Sequence, residues 1–212
     1  MKNKKAKFIE MLIGNFIIAI GISLGVLANK GIDPGMTFFY GMSNIVGQSL
    51  GIVTVLFNLI FLLPLLLFDR SRIGIATLVN MTCIGFFVEF ITLTVFQGKI
   101  IENIYFSYIV LMIGIILQSF GVAMYSNANM GQSPLDGIPN VIIKAVRKGN
   151  YRVYRVLQDC TLVLIGVLCG AHIGIGTIML MVLVGPCIYF FQTFITEKNM
   201  YAGVQLDTEK EF

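Results

Sequence analysis

Carboxylates in apolar surroundings are the residues of this sequence with the clearest chemical potential. Glu89 stands well inside a long apolar run, with phenylalanines, a valine and an isoleucine around it. A carboxylate at membrane depth is costly and usually faces a cavity or a partner. Three interpretations of Glu89 therefore remain open: a proton or cation relay, a structural hydrogen bond, and a position nearer the membrane interface than the apolar run suggests. The residue 100 positions later is Tyr189, so the acid is not duplicated.

Polar and helix-breaking residues recur in two loops, residues 28–35 (ANKGIDPG) and residues 128–137 (ANMGQSPLDG). A glycine in each loop suits the left-handed end of a preceding helix. Asp33 in the first loop and Ser133 in the second are good caps for a following helix. A proline comes next in both, as is common in a first helical turn. Each loop therefore predicts a helix that stops and immediately starts again.

An interrupted helix has a possible function in a membrane, where irregular backbone persists only inside protein or beside water. The N-terminus of a half-helix exposes free N–H groups, and paired ends of this kind hold the substrate in inverted-repeat transporters. The alternative is an ordinary capping turn at the water surface. The candidate substrate-binding residues are Asn29, Asp33, Pro34, Asn129, Ser133, Pro134, Asp136 and Glu89.

The elements that must position these residues are apolar helices. The 212 residues are 57% hydrophobic and only 12% charged, with a mean hydropathy of +0.86. A soluble fold cannot cover so much apolar surface, whereas a bilayer accepts about 20 apolar residues per helix. We therefore predict an all-α polytopic membrane protein. Its long apolar runs are Phe8–Ala28, Ile52–Phe68, Ile73–Phe96, Tyr105–Ser126, Val156–Gly170 and Ile173–Ile195.

The sequence repeats itself at a distance of 100 residues. Glycines, prolines and asparagines in fixed register are more informative than matching leucines, and no gap is needed. We predict two tandem membrane repeats, residues 1–98 and 99–196, followed by a polar cytoplasmic tail, residues 197–212. The matches include Gly21 with Gly121, Asn29 with Asn129, Gly31 with Gly131, Pro34 with Pro134, Thr77 with Thr177 and Gly85 with Gly185.

Each repeat holds three long spans and one short segment, Gly35–Gly47 or Leu135–Val146. A helix of 12 residues covers only about 18 Å, so these segments are either re-entrant or short-spanning. Re-entrant segments give six spans and inverted repeats, whereas spanning segments give eight spans and parallel repeats. The positive-inside rule favours the inverted arrangement, with both termini cytoplasmic in the inner membrane, because it places 13 of the 15 Lys and Arg residues inside against 12.

The remaining chemistry of the sequence is sparse. Four cysteines without CxxC spacing and a single histidine predict no metal site, and no nucleophile–base pair or cofactor motif is present, so we expect neither a cofactor nor enzyme activity. The net charge of +4 reflects basic clusters at the ends of spans, which do not indicate nucleic-acid binding. Expected partners are membrane lipid and a possible homodimer. Anionic lipid contact is possible at Lys144, Arg147, Lys148, Arg152 and Arg155, although topology alone explains this cluster.

The two loops also carry a family resemblance. Residues 131–137 (GQSPLDG) are similar to the Gly-x-x-Pro-x-Asp stretch of YczE-type proteins, except that Leu135 replaces the usual aromatic residue. Residues 29–35 resemble the Asn-x-x-x-x-Pro-Gly loop of YitT-type proteins. The chain thus resembles the YczE/YitT-type group of small bacterial integral membrane proteins over nearly its whole length. The resemblance implies a fold type and a cytoplasmic-membrane location, and it implies no substrate or catalytic residue.

The duplication, the paired interrupted helices and Glu89 together favour a permease-like secondary transporter for a small solute or ion, with its site at the repeat interface. The alternative is a non-transporting membrane regulator or an accessory subunit of a partner system. The small size of the chain and its few intramembrane charges favour this alternative.

Overall fold

The computed structural model describes residues 4–208, with side chains described as far as residue 195. The described residues form α-helices and short 3₁₀ and π segments and contain no strand, so the predicted all-α class is confirmed. Residues 91–95 continue α4 as a π-helix. The helices are α1 Lys4–Ala28, α2 Pro34–Val46, α3 Leu50–Phe68, α4 Ile75–Phe90, α5 Ile104–Asn127, α6 Pro134–Val146, α7 Tyr151–Leu168 and α8 Ile175–Thr208.

Five helical segments in the described part of the chain are long and apolar enough to cross a membrane: Lys4–Ala28, Leu50–Phe68, Ile75–Val95, Ile104–Asn127 and Ile175–Ile195. The sequence predicts a sixth long span within α7. This helix differs because its 18 residues include the charged residues Arg152, Arg155 and Asp159. Helix α8 continues beyond Ile195 as far as Thr208, and the end of the predicted tail, residues 209–212, lies outside the described residues.

The centre of the molecule is the contact between α1 and α5. A Cβ atom added to Gly21 would lie 2.5 Å from the backbone N of Gln118, and one added to Gly14 would lie 2.9 Å from the carbonyl O of Gly121. Glycine in both helices is what allows the backbones to approach so closely. Because the partner number falls as the α1 number rises, the two helices run antiparallel.

The loops before α2 and α6 share one backbone geometry. Asn29 and Asn129 are left-handed, with φ of 49° and 53°, and Gly31 and Gly131 follow with φ of 115° and 123°. The carbonyl O of Lys30 accepts a hydrogen bond from the Gly176 N–H at 2.7 Å. These turns anchor each loop to the helix start of the other half of the chain.

The start of α2 follows the predicted capping chemistry more closely than the start of α6. Oδ1 of Asp33 accepts the Met36 N–H at 3.1 Å, so Asp33 caps α2. Ser133 occupies the same place before α6, but its side chain makes no capping hydrogen bond.

A buried carboxylate ties the end of α3 to the end of α6. Asp69 is only 2% exposed. It accepts hydrogen bonds from Ser71 at 2.8 Å and Arg72 at 2.7 Å, and it pairs with Lys144 at 2.6 Å. Burial raises the pKa of Asp69, but Lys144, Ser71 and Arg72 outweigh it and lower the pKa to about 2.

The lowered pKa of Asp69 predicts a stability loss in acid. A carboxyl whose pKa is lower when folded contributes stability above its unfolded pKa, near 4, and loses it as the pH falls through its folded pKa, about 2. Because Lys144 and Arg72 are partly exposed, we expect a contribution of about 1–2 kcal/mol. Thermal unfolding in detergent between pH 6 and pH 2 measures it. Asp69→Asn should reduce the change in stability over this pH range. An unchanged pH profile in that variant would contradict the role assigned to Asp69.

Candidate functional site

A cavity of about 450 Å³ lies between the two halves of the chain. Residues of both interrupted loops line it, together with side chains from α1, α3, α4, α5, α7 and α8. Its volume is within the usual range for sites that hold small molecules. Much of the wall is aliphatic or aromatic, as at Ile18, Phe39 and Ile84.

The N-terminal turns of α2 and α6 meet at this cavity. A Cβ atom added to Gly35 would lie 2.8 Å from Cδ2 of Leu135. These two residues stand 100 positions apart, at the second position of each helix. The first turn of a helix has N–H groups without helical partners and the positive end of the helix dipole. The cavity therefore lies where two such ends converge.

An ionic cluster from α6 and α7 forms one part of the cavity wall. The Arg155 guanidinium donates a hydrogen bond to Asp136 at 2.5 Å and lies 3.3 Å from Asp159. Gln158, on the same helix, donates to the carbonyl O of Leu135 at 2.9 Å. These contacts hold the first turn of α6 against α7, because Arg155 bridges a carboxylate from each helix.

Carboxamides and one further carboxylate face the cavity from the other half. Asn80 donates to Oδ1 of Asn15 at 2.9 Å, and Nδ2 of Asn58 donates to the carbonyl O of Thr54 at 2.9 Å. Oδ1 of Asn58 and Oδ2 of Asp33 are both buried without a hydrogen-bond partner. Buried polar atoms are normally satisfied, and a water molecule or a solute with N–H or O–H groups would satisfy these two acceptors.

With this geometry established, comparison with known proteins places the chain. Residues 5–193 match the profile of a family described as "Family of unknown function (DUF6198)". The chain belongs to this family. No solved structure matches it.

Curated relatives are similar to this chain over most of its length. "Uncharacterized membrane protein YczE" of Bacillus subtilis (strain 168) is 28% identical over 84% of this chain and 81% of its own length. "Uncharacterized protein YyaS" of the same organism is 23% identical over 89% of this chain and 94% of its own. An "Uncharacterized protein" of Haemophilus influenzae is 28% identical over 84% and 80%. The resemblance to YczE-type membrane proteins is confirmed, and with several apolar helices the chain is a multi-pass membrane protein.

In this DUF6198 member, half of the sequence-predicted site residues line the cavity: Asp33, Pro34, Ser133 and Asp136. Pro134 is fully buried and does not line it. Asn29 and Asn129 are exposed at the left-handed turns after α1 and α5 and lie outside the lining.

Glu89 lies apart from the cavity of the DUF6198 fold. Its Oε2 accepts the backbone N–H of Gly51 at 2.9 Å, in the first turn of α3. The lining residues of the cavity do not include Glu89. Among the interpretations of this acid, the contact with α3 corresponds to the structural hydrogen bond.

Two residues that line the cavity were not among the candidate site residues predicted from the sequence. Arg155 and Asp159 suggest an ordinary ion pair at the membrane interface, yet both line the cavity. Two of the basic residues considered for anionic lipid have carboxylate partners instead, because Lys144 pairs with Asp69 and Arg155 with Asp136. Charges spaced four residues apart inside an apolar helix are the signal that could have drawn attention to Arg155 and Asp159.

Proposed function

We propose that this protein is a permease-like secondary transporter for a small solute or ion, built from two inverted repeats that share one site. The observation that carries the proposal is the cavity at which the first turns of α2 and α6 meet, since both interrupted loops contribute to its wall. Paired half-helix ends that enclose a polar site are typical of inverted-repeat transporters. The proposed role is non-catalytic.

Reciprocal contacts support the inverted repeat. Gly21 packs against Gly114, whereas the repeat counterpart of Gly21, Gly121, packs against Gly14. Such an exchange of partners is expected if a two-fold axis relates residues 100 positions apart, and the antiparallel course of α1 and α5 agrees with an axis in the membrane plane.

The interrupted loops exchange partners in the same way. Gly31 approaches Thr177, and Gly131 approaches Thr77. The Ala76 N–H donates to Met130, and the Gly176 N–H donates to Lys30. Both loops therefore dock onto the helix start of the opposite repeat.

A difference between the halves supports alternating access. Helix α4 packs on α3, and a Cβ atom added to Gly85 would lie 2.6 Å from Cβ of Thr54. Its counterpart Gly185 has nothing within 4 Å and lines the cavity. One half is thus closed where the other is open. In inverted repeats, exchange of these two arrangements would open the cavity to the opposite membrane face.

The proposed orientation rests on the distribution of basic residues. With the N-terminus cytoplasmic, the Arg70–Arg72 turn and the basic segment between α6 and α7 lie inside, as the positive-inside rule favours for a bacterial inner-membrane protein. The rival function, a regulator or accessory subunit, needs no access of water to the cavity from both faces. Accessibility therefore separates the two functions.

The proposal predicts that one cavity residue reacts from both faces of the membrane. Met181 lines the cavity, whereas Val182, the next residue of α8, is 62% exposed and faces away from it. In a chain freed of its native cysteines, a charged, impermeant thiol reagent should label Met181→Cys from either side of oriented membranes, because water reaches the cavity in turn from each face. Val182→Cys should remain unlabelled, because a thiol in lipid does not ionise.

Any other outcome of the labelling experiment would contradict the proposal that the protein is a transporter. Labelling of Met181→Cys from one face alone indicates a vestibule and favours the accessory role. Absence of labelling indicates that the cavity is closed to water. Equal labelling of both variants indicates that α8 does not lie in lipid as proposed.

A further inference from the structure

The side chains that line the cavity include more acids than bases. Among the described residues that line it, the ionisable acids and bases other than tyrosine are Asp33, Asp136, Asp159 and Arg155. Three carboxylates therefore face one guanidinium. Arg155 contacts Asp136 and Asp159, and no ion pair in the described chain includes Asp33. A carboxylate inside a membrane protein that has no ion-pair partner usually marks a functional site.

Asn58 adds an independent indication of what the cavity accepts. Asn58 is only 4% exposed, and it lines the cavity. Nδ2 donates to the carbonyl O of Thr54 at 2.9 Å, which fixes the orientation of the amide, since the reverse orientation would place two acceptors together. Oδ1 is left buried without a donor. A hydrogen-bond donor, either water or an N–H or O–H group of a bound solute, would satisfy it.

Oδ2 of Asp33 is the second acceptor of this kind. Oδ1 of the same carboxylate is committed to the Met36 N–H at the start of α2, whereas Oδ2 is buried without a partner. The helix N-termini and Arg155 attract an anion, but an anionic solute without N–H or O–H groups would leave both acceptors unsatisfied. A cationic N–H donor satisfies the charge and the hydrogen-bond requirement together.

The volume and wall of the cavity indicate the rest of the ligand. A cavity of about 450 Å³ exceeds the size of a bare metal ion, and side chains such as Ile22, Phe39 and Val184 offer an apolar surface. We propose that the cavity binds a small organic cation, a protonated amine, whose N–H groups reach Asp33 and Asn58 while its carbon chain packs on the apolar wall. This inference rests on the proposed function, because it assigns a ligand class to the same site.

The test uses butylammonium as the probe and protection of Met181→Cys as the readout. Sodium butyrate at equal ionic strength is the matched anion of the same length. At a butylammonium concentration about ten times its dissociation constant, thiol labelling in detergent should slow by roughly tenfold, because only the empty fraction reacts. Butyrate should leave the rate unchanged.

Two substitutions in the Met181→Cys background locate the cation. Asp33→Asn removes the charge but keeps an amide oxygen for the Met36 cap, since Asn caps helices as well as Asp. It should weaken butylammonium protection by at least about tenfold, as expected for loss of a charge-assisted hydrogen bond. Glu102→Gln makes the same charge change at an exposed residue outside the cavity and should have no effect. Size-exclusion profiles verify that both variants are folded.

The outcomes separate this inference from the proposed function. Protection by butyrate, protection by butylammonium that survives Asp33→Asn, or an absence of protection by butylammonium would each overturn the cation site while labelling of Met181→Cys still supports a water-accessible cavity. If Met181→Cys reacts from neither face, the proposed function itself fails and the cation site fails with it.

Discussion

Replacement of Gly21 by alanine is expected to destabilise the protein by about 2–3 kcal/mol, and replacement by leucine should abolish the folded state. A Cβ atom at this position would lie 2.5 Å from the backbone N of Gln118 and 2.7 Å from the carbonyl O of Gly114. Both neighbours are backbone atoms, so no rotamer change relieves the overlap. Helices α1 and α5 would have to separate along their central contact.

Gly25 provides the matched control in the same helix. A Cβ atom there would lie 3.7 Å from Cγ2 of Ile32, which is ordinary van der Waals contact. Gly25→Ala should therefore be neutral or stabilising by up to about 1 kcal/mol, since alanine favours the helix. The folded fraction of each variant can be followed by thermal or SDS denaturation in mild detergent. Equal stability of Gly21→Ala and Gly25→Ala would refute the close approach.

The positions of the helices could be predicted from hydropathy. Each predicted run or short segment coincides with one helix, because apolar side chains must be buried or face lipid and because loops are marked by charge, glycine and proline. Most bounds agree to within a few residues, but α7 begins at Tyr151 instead of Val156 and α8 extends to Thr208 instead of Ile195. Helix α2 illustrates the agreement: the predicted segment Gly35–Gly47 is the observed Pro34–Val46, with Asp33 before it and Gly47 after it. Such signals are local, so a single sequence reveals them.

The residues that line the cavity could be predicted only in part from the sequence. The two loops were recognisable as interrupted helices, and four of their residues line the cavity. Which side chains of those loops turn inward depends on the left-handed turns that leave Asn29 and Asn129 exposed. Neither residue type nor spacing indicates this direction, since Asn tolerates a left-handed turn and also binds ligands.

Hydrogen-bond and ion-pair partners that are distant in the sequence were the hardest feature to predict. The pairing of Glu89 with the first turn of α3 joins residues 38 positions apart, and that of Asp69 with Lys144 joins different halves of the chain. Hydropathy places both acids on helices or at helix ends, but it does not show which N–H group or ammonium faces them. Such pairs result from helix packing, which the one-dimensional pattern does not encode.

Removal of Arg155 is expected to produce the second large effect, a loss of about 2–3 kcal/mol of stability on substitution by alanine. Arg155 bridges Asp136 on α6 and Asp159 on α7, and Asp159 is only 12% exposed. Without the guanidinium, the two carboxylates would repel each other across the junction of α6 and α7. The loss is smaller than for a fully buried pair, because about a third of the Arg155 and Asp136 side chains remains exposed.

Neutralisation of the two carboxylates together with removal of Arg155 should reverse this loss of stability. In the triple variant Arg155→Leu, Asp136→Asn, Asp159→Asn no charge of this cluster remains, and stability should return to within about 1 kcal/mol of the parent. Arg152→Ala is the control, because Arg152 is an exposed cation on the same helix. Thermal denaturation of the four proteins in one detergent measures these effects. If the triple variant is as unstable as Arg155→Ala, packing of the arginine side chain stabilises the junction of α6 and α7, and neutralisation of the two carboxylates does not.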